Sequence, residues 1–227
     1  MNKWKDIWNK RNTEGPVSLE KLIELDGFDS ATGKMDIDSW KEYIEFIAKK
    51  INLKPHESIY EAGCGSGAFL YPFYLKGHKV GGIDYSDKLI SIIRSVITDG
   101  EFTAGEAIEI DTELKYDILV SNGVFLYFPD YLYAEEVIKK MLLKAKRIVA
   151  ILEVSDINFK EKLQKAKKDA LGEEEYNKKY EGLNHLYFKR DWFLNLEILN
   201  NYSVEIFNQN IKNYGNSDYR FNIIIRR

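Results

Sequence analysis

Apolar residues along this chain follow two different spacings. Short runs such as 116–121 and 148–154 are apolar along most of their length, which is typical of strands buried on both faces of a sheet. In segments such as 40–51 and 89–97, apolar residues recur every three or four positions, as they do on one face of a helix. Strands that alternate with helices predict a parallel sheet with helices on both of its faces.

The predicted strands end in a hairpin. They cover residues 58–60, 79–83, 102–103, 116–121, 148–154, 203–211 and 219–225. A turn over 213–216 joins the last two, so one of them must run antiparallel to the rest. Helices are predicted over 3–11, 19–25, 40–51, 68–75, 89–97 and 134–142, with Ser18 and Asp38 as caps of the second and third.

Two segments depart from this alternation. Residues 26–36 come close to a phosphate-binding loop and to a calcium-binding loop but match neither spacing, so we predict a loop without a ligand. Residues 159–182 are densely charged, and a helix there would face solvent on most sides, so we interpret the run as a solvated surface. Its thin apolar stripe consists of Phe159, Leu163, Ala166 and Ala170.

A glycine-rich turn follows the first predicted strand. Gly63, Gly65 and Gly67 alternate with other residues shortly after Glu61, and an apolar run that can start a helix comes next. Glycine lets the backbone approach a ligand closely, because no Cβ stands in the way. The N-terminus of the following helix offers unpaired N–H groups and the positive end of its dipole. The arrangement suits a nucleotide-like ligand that carries a carboxylate or a phosphate.

Glu61 helps to decide which nucleotide the turn would bind. The turn formally fits the dinucleotide fingerprint, which by itself is a weak signal. A carboxylate two residues before the first glycine would repel a pyrophosphate, whereas it would form a charge-assisted hydrogen bond with an amino group. S-adenosylmethionine carries an ammonium group and a sulfonium and has no phosphate, so the sequence favours it over a dinucleotide.

The turn resembles motif I of the class I S-adenosylmethionine-dependent methyltransferases, (D/E)-x-G-x-G-x-G, and matches it at Glu61, Gly63, Gly65 and Gly67. The resemblance covers about residues 38–227. It implies an α/β fold with a doubly wound, mostly parallel seven-stranded sheet of order 3-2-1-4-5-7-6, in which strand 7 is antiparallel. It also implies N-terminal helices, a helical insert after strand 5, S-adenosyl-L-methionine as the cofactor and S-adenosyl-L-homocysteine as its product.

Further cofactor contacts are predicted after the second and third strands. Asp84 lies at the end of the second strand, where an acid can accept hydrogen bonds from both ribose hydroxyls or cap the helix that follows. The resemblance implies that Tyr85 lies beside the adenine. It also implies that Glu106 accepts a hydrogen bond from the adenine amino group while the backbone at Ala107 donates to the ring. A solvated loop acid is the alternative interpretation of Glu106.

The end of the fourth strand lies beneath the methionine half of the cofactor in this family. The resemblance makes the backbone carbonyl at Ser121 and the side chain of Asn122 candidates for holding the ammonium. Trp8, with Trp4, lies in a segment similar to the N-terminal tryptophan helix that covers the cofactor in thiopurine-type methyltransferases. Core packing is the alternative interpretation of these two tryptophans.

The residues after the fourth strand argue against several related activities. Methyltransferases of the amino groups of adenine and glutamine carry an (N/D)-P-P-(Y/F) box there, whereas this chain has Asn-Gly-Val-Phe over 122–125. Aminopropyltransferases share the fold but place an acid near this point, where the chain has Asn122. Short-chain dehydrogenases need Tyr-x-x-x-Lys, a spacing that no tyrosine of the chain shows.

Methyl transfer from a sulfonium is a direct displacement, so the protein mainly aligns the acceptor, the methyl group and the sulfur. It also excludes water and, for a hydroxyl acceptor, removes a proton. His185 is the predicted catalytic residue, because a histidine of near-neutral pKa suits a general base and this one lies among aromatic residues. A packed or hydrogen-bonded histidine is the alternative. Tyr127, His185 and Tyr187 are predicted to line the substrate pocket.

We predict one methyltransferase domain over residues 1–227. Its predicted parts are N-terminal cap helices over 1–37, a cofactor-binding core over 38–156, a lid or substrate insert over 157–190, and a C-terminal helix and β-hairpin over 191–227.

Composition and charge limit the expected partners of the protein and its cellular compartment. The chain has 33 Lys and Arg against 36 Asp and Glu, and this net charge of −3 argues against nucleic acid as a partner. Cys64 is the one cysteine, which rules out an internal disulfide and fits a cytoplasmic protein. No apolar stretch resembles a signal region or approaches membrane-spanning length, so we expect no membrane partner.

The sequence therefore predicts a cytoplasmic enzyme that methylates an oxygen or nitrogen atom of a small-molecule acceptor, without a metal ion. The identity of the acceptor and the oligomeric state stay open. An NAD(P)-dependent oxidoreductase and a non-catalytic S-adenosylmethionine-binding protein are the alternatives. Glu61 and the missing Tyr-x-x-x-Lys argue against the first, whereas only an assay separates the second.

Overall fold

A computed structural model describes residues 3–30 and 33–227, and its centre is a seven-stranded sheet. The strands are β1 Ile59–Ala62, β2 Val80–Asp84, β3 Glu101–Ala104, β4 Tyr116–Asn122, β5 Ala145–Ser155, β6 Ser203–Asn208 and β7 Arg220–Arg226. They lie in the order β3-β2-β1-β4-β5-β7-β6. The first five pair in parallel, while β7 is antiparallel to both β5 and β6. The predicted fold class, sheet order and antiparallel seventh strand are confirmed.

Helices pack on both faces of this sheet. In the part of the chain that the structure describes they are α1 Lys3–Trp8, α2 Leu19–Leu25, α3 Ile37–Lys50, α4 Tyr71–Leu75, α5 Asp87–Val96, α6 Tyr131–Lys144, α7 Lys160–Leu171, α8 Glu173–Tyr180 and α9 Arg190–Leu194. None of these helices is long and apolar enough to cross a membrane.

Each face of the sheet has its own apolar core. Ile118 and Val120 of β4 belong to the core that also contains residues of α2, α3 and α5. Leu119, between them, belongs to the core on the opposite face, together with residues of α6 and α9. Successive side chains of a strand point to opposite faces, so a strand that is apolar at consecutive positions supplies both cores.

Local side-chain chemistry sets the start of two helices. Ser18 accepts a hydrogen bond from the backbone N–H of Lys21 and caps α2, as predicted. Asp36 accepts one from the N–H of Ser39 and caps α3, so the prediction of Asp38 as this cap was wrong. Asp38 lies within the first turn of α3, because the helix already begins at Ile37.

The charged run after β5 forms two helices. Gly172, with a φ of +81°, separates α7 from α8, a backbone conformation that glycine adopts without strain. Most side chains of the run are exposed or half-buried, but Leu163 and Lys167 are buried. The interpretation of the run as a solvated surface is therefore wrong at Lys167.

The segment between α2 and α3 is less irregular than predicted. Residues Asp29–Ser30 pair with Gly33–Lys34 in a short antiparallel ladder. Residues 31 and 32 of the predicted loop lie outside the described residues. The beginning of the segment, at Asp26, reaches the glycine turn after β1.

Candidate functional site

Most of the predicted cofactor residues surround one cavity, which we call the first cavity. It lies at the carboxyl ends of the parallel strands, the edge at which open α/β sheets bind ligands. Its empty volume is about 820 Å³, including open solvent at its mouth. The predicted residues in its wall are Trp8, Glu61, Gly63, Gly65, Asp84, Tyr85, Glu106, Ala107 and Asn122, together with Tyr127.

Gly67 and Ser121 lie behind this wall. Gly67 packs closely against Ile93 of α5, and a Cβ there would collide with that side chain. The hydroxyl of Ser121 donates a hydrogen bond to the backbone oxygen of Ala62, at 2.9 Å, and joins β4 to β1. Both residues thus stabilise the packing of the elements around the first cavity and do not line it.

The glycine turn needs glycine for its conformation and for space. Gly63 has a φ of +78° and Gly65 a φ of +51°, both in the left-handed region. A Cβ on Gly63 would collide with the side chain of Val124, and one on Gly65 would collide with the carboxylate of Asp26. The turn is therefore packed against two segments that are distant in sequence.

Asp26 occupies the helix N-terminus that follows the turn. Its Oδ1 accepts a hydrogen bond from the N–H of Ser66 at 2.6 Å, and its Oδ2 accepts one from Ala68 at 2.9 Å. We expected these N–H groups to face the carboxylate or phosphate of a ligand, and the structure corrects this. Asp26, which we predicted in a loop without a ligand, belongs to the wall of the first cavity.

Asp84 holds the turn from the other side. Its Oδ2 accepts a hydrogen bond from the N–H of Gly65 at 3.0 Å, and its Oδ1 accepts one from Ser86 at 2.8 Å. The cap of α5 is Ser86, whose hydroxyl accepts from the N–H of Leu89. Asp84 is therefore not the cap of this helix, and its carboxylate lines the first cavity at the end of β2.

Three carboxyl groups crowd this cavity. Burial raises the pKa of Asp26 to about 6 and that of Asp84 to about 7, against the hydrogen bonds that they accept. Burial also raises the pKa of Glu61 well above its usual value, and the nearby Asp26 and Asp84 add to this effect. Oε2 of Glu61 is buried and has no hydrogen-bond partner among the described residues. The cavity therefore favours a cationic ligand.

The rest of the predicted cofactor residues complete the wall. Glu106 accepts a hydrogen bond from the hydroxyl of Tyr133 at 3.3 Å and caps the short helix Ala107–Glu109. The hydroxyl of Tyr85 is buried without a partner in the described part of the chain. Oδ1 of Asn122 accepts a hydrogen bond from the hydroxyl of Tyr43 at 2.9 Å.

A second cavity adjoins the first and shares Trp8, Asp26, Asn122 and Tyr127 with it. Its empty volume is about 1170 Å³, again including open solvent at its mouth. Its wall combines residues of α1, α7 and α8 with residues from the ends of β5 and β7. The wall includes Trp4, Arg11, Glu153, Lys167, Lys179, Tyr180, His185 and Arg220.

Aromatic rings join α1 to the segment after α8. The rings of Trp4 and His185 are stacked with centroids 4.7 Å apart. The ring of Tyr127 is edge-to-face with those of Trp4 and Trp8, at centroid distances of 4.8 and 5.6 Å. Nε1 of Trp4 also donates a hydrogen bond to the backbone oxygen of Asn184, at 3.1 Å. The two tryptophans therefore line a cavity and also pack against other elements.

His185 lies in the wall of the second cavity, but its electrostatics differ from the prediction. Burial, followed by the positive charges of Lys167 and Arg220, lowers its pKa to about 3. A general base is most effective when its pKa is near the working pH, so this pKa argues against the near-neutral base that we predicted. Tyr187 lies outside the walls of both cavities, and its backbone oxygen accepts a hydrogen bond from the hydroxyl of Tyr131 at 2.6 Å.

Charged side chains meet at the inner end of the second cavity. Glu153, near the end of β5, has a φ of +60°, which is uncommon for a residue other than glycine. Nη1 of Arg220 donates a hydrogen bond to its backbone oxygen at 2.9 Å and lies 3.6 Å from its Oε2. Burial raises the pKa of the Glu153 carboxyl, against the effects of Arg220 and of a hydrogen bond from Tyr214.

Sequence reasoning missed Asp26, Glu153, Lys167 and Arg220. Glu153 carried a usable signal, because a charged residue near the carboxyl end of a buried parallel strand faces the ligand edge of the sheet. Lys167 lies four residues after the buried Leu163, so helical spacing could have placed both on one face. Asp26 and Arg220 carried no local signal, since their partners are distant in sequence.

A family model described as a methyltransferase domain matches residues 53–222, three quarters of the chain. No curated protein matched the chain.

Solved structures share the fold at low sequence identity. Magnesium protoporphyrin IX methyltransferase (ChlM) from Synechocystis PCC 6803 with bound SAM is 16% identical, with a TM-score of 0.61 over 98% of this chain and 90% of that one. The N-methyltransferase NodS from Bradyrhizobium japonicum WM9 in complex with S-adenosyl-L-homocysteine is 14% identical, with a TM-score of 0.58 over 82% and 86%. The PH0226 protein from Pyrococcus horikoshii OT3 is 18% identical, with a TM-score of 0.62 over 83% and 90%.

Proposed function

The chain belongs to the methyltransferase domain family, and we propose that it transfers the methyl group of S-adenosylmethionine to an oxygen or nitrogen atom of a small molecule. The observation that carries this proposal is the group of buried carboxyls, Asp26, Glu61 and Asp84, around the first cavity. A cationic ligand without phosphate relieves the repulsion among these groups, whereas a dinucleotide would increase it.

The residues of the first cavity fit this cofactor. Oε2 of Glu61, which is buried without a partner among the described residues, would accept a hydrogen bond from the ammonium. Asp84 would accept from the ribose hydroxyls, because each of its oxygens can accept a second hydrogen bond besides the one from the backbone. Glu106, in the same wall, would accept from the adenine amino group.

The protein's own contribution is positioning. When bound, the cofactor supplies an electrophilic methyl group on a positively charged sulfur. The chain then has to orient the acceptor and exclude water. We assign the acceptor to the second cavity, because that cavity shares Asp26, Asn122 and Tyr127 with the first and so adjoins the cofactor. His185 would form part of the wall that orients the acceptor.

We also propose that α1 and residues 157–190 together form a roof over the two cavities. Trp4 of α1 bonds to Asn184 and stacks on His185, so the two parts of the roof are joined. At the end of the roof, Nε of Arg190 pairs with the buried carboxylate of Asp156 at 2.9 Å. Hydrogen exchange over 157–190 should slow when S-adenosylhomocysteine binds, and equal exchange with and without it would contradict the roof.

Calorimetry tests the function with S-adenosylhomocysteine and NADH as ligands. We expect S-adenosylhomocysteine to bind and NADH not to bind. Glu61→Gln removes the charge of this side chain and should weaken the binding of S-adenosylhomocysteine by about 10- to 150-fold. This factor corresponds to the loss of one hydrogen bond to a charged group.

The control variant is Glu45→Gln, which makes the same charge change on the exposed surface of α3 and lines neither cavity. Its affinity should equal that of the wild type. Tight binding of NADH without binding of S-adenosylhomocysteine would overturn the proposed function.

A further inference from the structure

Three buried charged side chains, Glu153, Lys167 and Arg220, form a cluster at the inner end of the second cavity. They are 4%, 7% and 5% exposed, respectively. One carboxylate and two cations leave one positive charge of the cluster uncompensated. Burying an uncompensated charge is costly, so a cluster of this kind needs a further group to complete it.

The hydrogen bonds of the cluster are incomplete. Arg220 donates through Nη1 to Glu153, whereas its Nε and Oε1 of Glu153 are buried without a partner among the described residues. Lys167 makes no hydrogen bond or ion pair within the described part of the chain, and its ammonium lies 5.2 Å from the centre of the Tyr180 ring. All three side chains line the second cavity.

The surrounding charges reinforce the positive field at this end. Lys179, which is exposed, lines the same cavity. Arg11 lines the second cavity, and its positive charge offsets the negative charge of Asp26, which lines both cavities. The field therefore changes sign from the first cavity, with its carboxylates, to the inner end of the second.

We propose that the methyl acceptor carries a carboxylate or a phosphate, and that Lys167 and Arg220 hold this anion at the inner end of the second cavity. The inference rests on the proposed function, because it names the substrate class of the same site. The rings of Trp4, Tyr127 and Tyr180 would cover the apolar body of the acceptor.

The experiment uses the full chain saturated with S-adenosylhomocysteine and compares benzoate with benzamide, its neutral analogue of the same shape. Binding is followed by calorimetry and by the tryptophan fluorescence of the protein, to which Trp4 and Trp8 in the wall of this cavity contribute. Benzoate should bind about tenfold or more tightly than benzamide, because only benzoate forms charge-assisted hydrogen bonds. Inorganic phosphate should compete with benzoate.

Variants of α7 locate the anion. Lys167→Met should weaken the binding of benzoate by about tenfold or more and leave the affinity for benzamide unchanged. Lys165→Met makes the same charge change on the exposed side of α7 and should leave both affinities unchanged. Because Lys167→Met replaces a buried ammonium with an apolar chain of similar length, we expect it to fold; Lys167→Gln repeats the test if it does not.

The outcomes separate this inference from the proposed function. Absence of S-adenosylhomocysteine binding in the wild type would contradict the proposed function itself. Normal binding of S-adenosylhomocysteine with equal affinities for benzoate and benzamide would overturn the anion site alone. A Lys167→Met variant that binds S-adenosylhomocysteine more weakly in the absence of benzoate would also overturn it, since the cluster would then hold the carboxylate of the cofactor.

Discussion

The two cavities share a wall but differ in the sign of their charge. Around the first cavity, Asp26, Glu61 and Asp84 are carboxyl groups whose pKa values burial raises. At the inner end of the second, Lys167 and Arg220 outnumber Glu153, and burial lowers the pKa of Lys167 to about 8. Neighbouring cavities of opposite charge suit two ligands of opposite charge that must meet at their boundary.

The cavities also differ in how the chain builds them. In the first, Glu61 and Asp84 stand on adjacent parallel strands, with Glu61 opposite Gly82 in the register of β1 and β2. In the second, Glu153, Lys167 and Arg220 come from β5, α7 and β7, and only packing brings them together. The comparison indicates that the first cavity depends mostly on local motifs, with Asp26 as the exception, and the second on long-range contacts.

The largest expected effect tests the first cavity alone. Asp84→Ala removes an acceptor for the ribose hydroxyls and should weaken the binding of S-adenosylhomocysteine, measured by calorimetry, by about 10- to 150-fold. Binding of benzoate in the second cavity should not depend on this residue. Asp87→Ala, in the exposed first turn of α5, is the control. An unchanged dissociation constant in a folded Asp84→Ala variant would remove Asp84 from the cofactor site.

A smaller effect on the affinity for S-adenosylhomocysteine is expected from a change in pH. In the proposed binding mode, Asp84 accepts hydrogen bonds from the ribose best as a carboxylate, and an ionised Asp26 near Glu61 attracts the ammonium. The pKa values of Asp84 and Asp26 are about 7 and about 6. Lowering the pH from 8 to 6 should therefore weaken the binding of S-adenosylhomocysteine by about tenfold. Binding should also release protons, which calorimetry in buffers of different ionisation enthalpy detects. An affinity that stays constant over this range would contradict the carboxylate assignment.

Titration of Lys167 should make the stability of the protein rise with pH. Its pKa falls from 10.5 to about 8 because burial disfavours the ammonium, and Arg220 and Lys179 add to this effect while Glu153 opposes it. The unfolded chain then binds more protons than the folded one between about pH 8 and 10.5, so stability rises with pH in that window. Relative to Lys167→Met, the free energy of unfolding should rise by on the order of 1–3 kcal/mol.

Denaturant unfolding of both proteins at several pH values measures this difference. The aromatic ring of Tyr180, which faces the ammonium, is present in both proteins and does not affect the comparison. Parallel pH curves for wild type and variant would mean that Lys167 is not a buried cation.

The smallest effect is expected at His185. With a pKa of about 3 the ring is neutral across the working range, so His185→Gln should change turnover by only a few-fold once an acceptor is known. The rate of the wild type should show no inflection near pH 6.5. A loss of about 10²- to 10⁴-fold, together with such an inflection, would restore the general base that the sequence predicts.

Spacing along the chain was enough to predict the sheet and most of the first cavity. Apolar periodicity marked the strands, and parallel strands bring their carboxyl ends to one edge wherever the connecting loops lie. Glu61, Asp84 and Glu106 lie at or just after the carboxyl ends of successive strands, so their approach to one another was predictable without knowledge of packing. The left-handed conformations of Gly63 and Gly65 also belong to the local turn.

The tertiary structure decided which side chain bonds to the N–H groups after the glycine turn and which charged residues line the second cavity. Asp26 reaches Ser66 and Ala68 across 40 or more positions, and Arg220 reaches Glu153 across 67. Such contacts depend on how the N-terminal helices and the last strand pack on the sheet, which local spacing does not encode. The pKa of His185 is likewise set by burial against Lys167 and Arg220, because desolvation and neighbouring charge exist only in the folded chain.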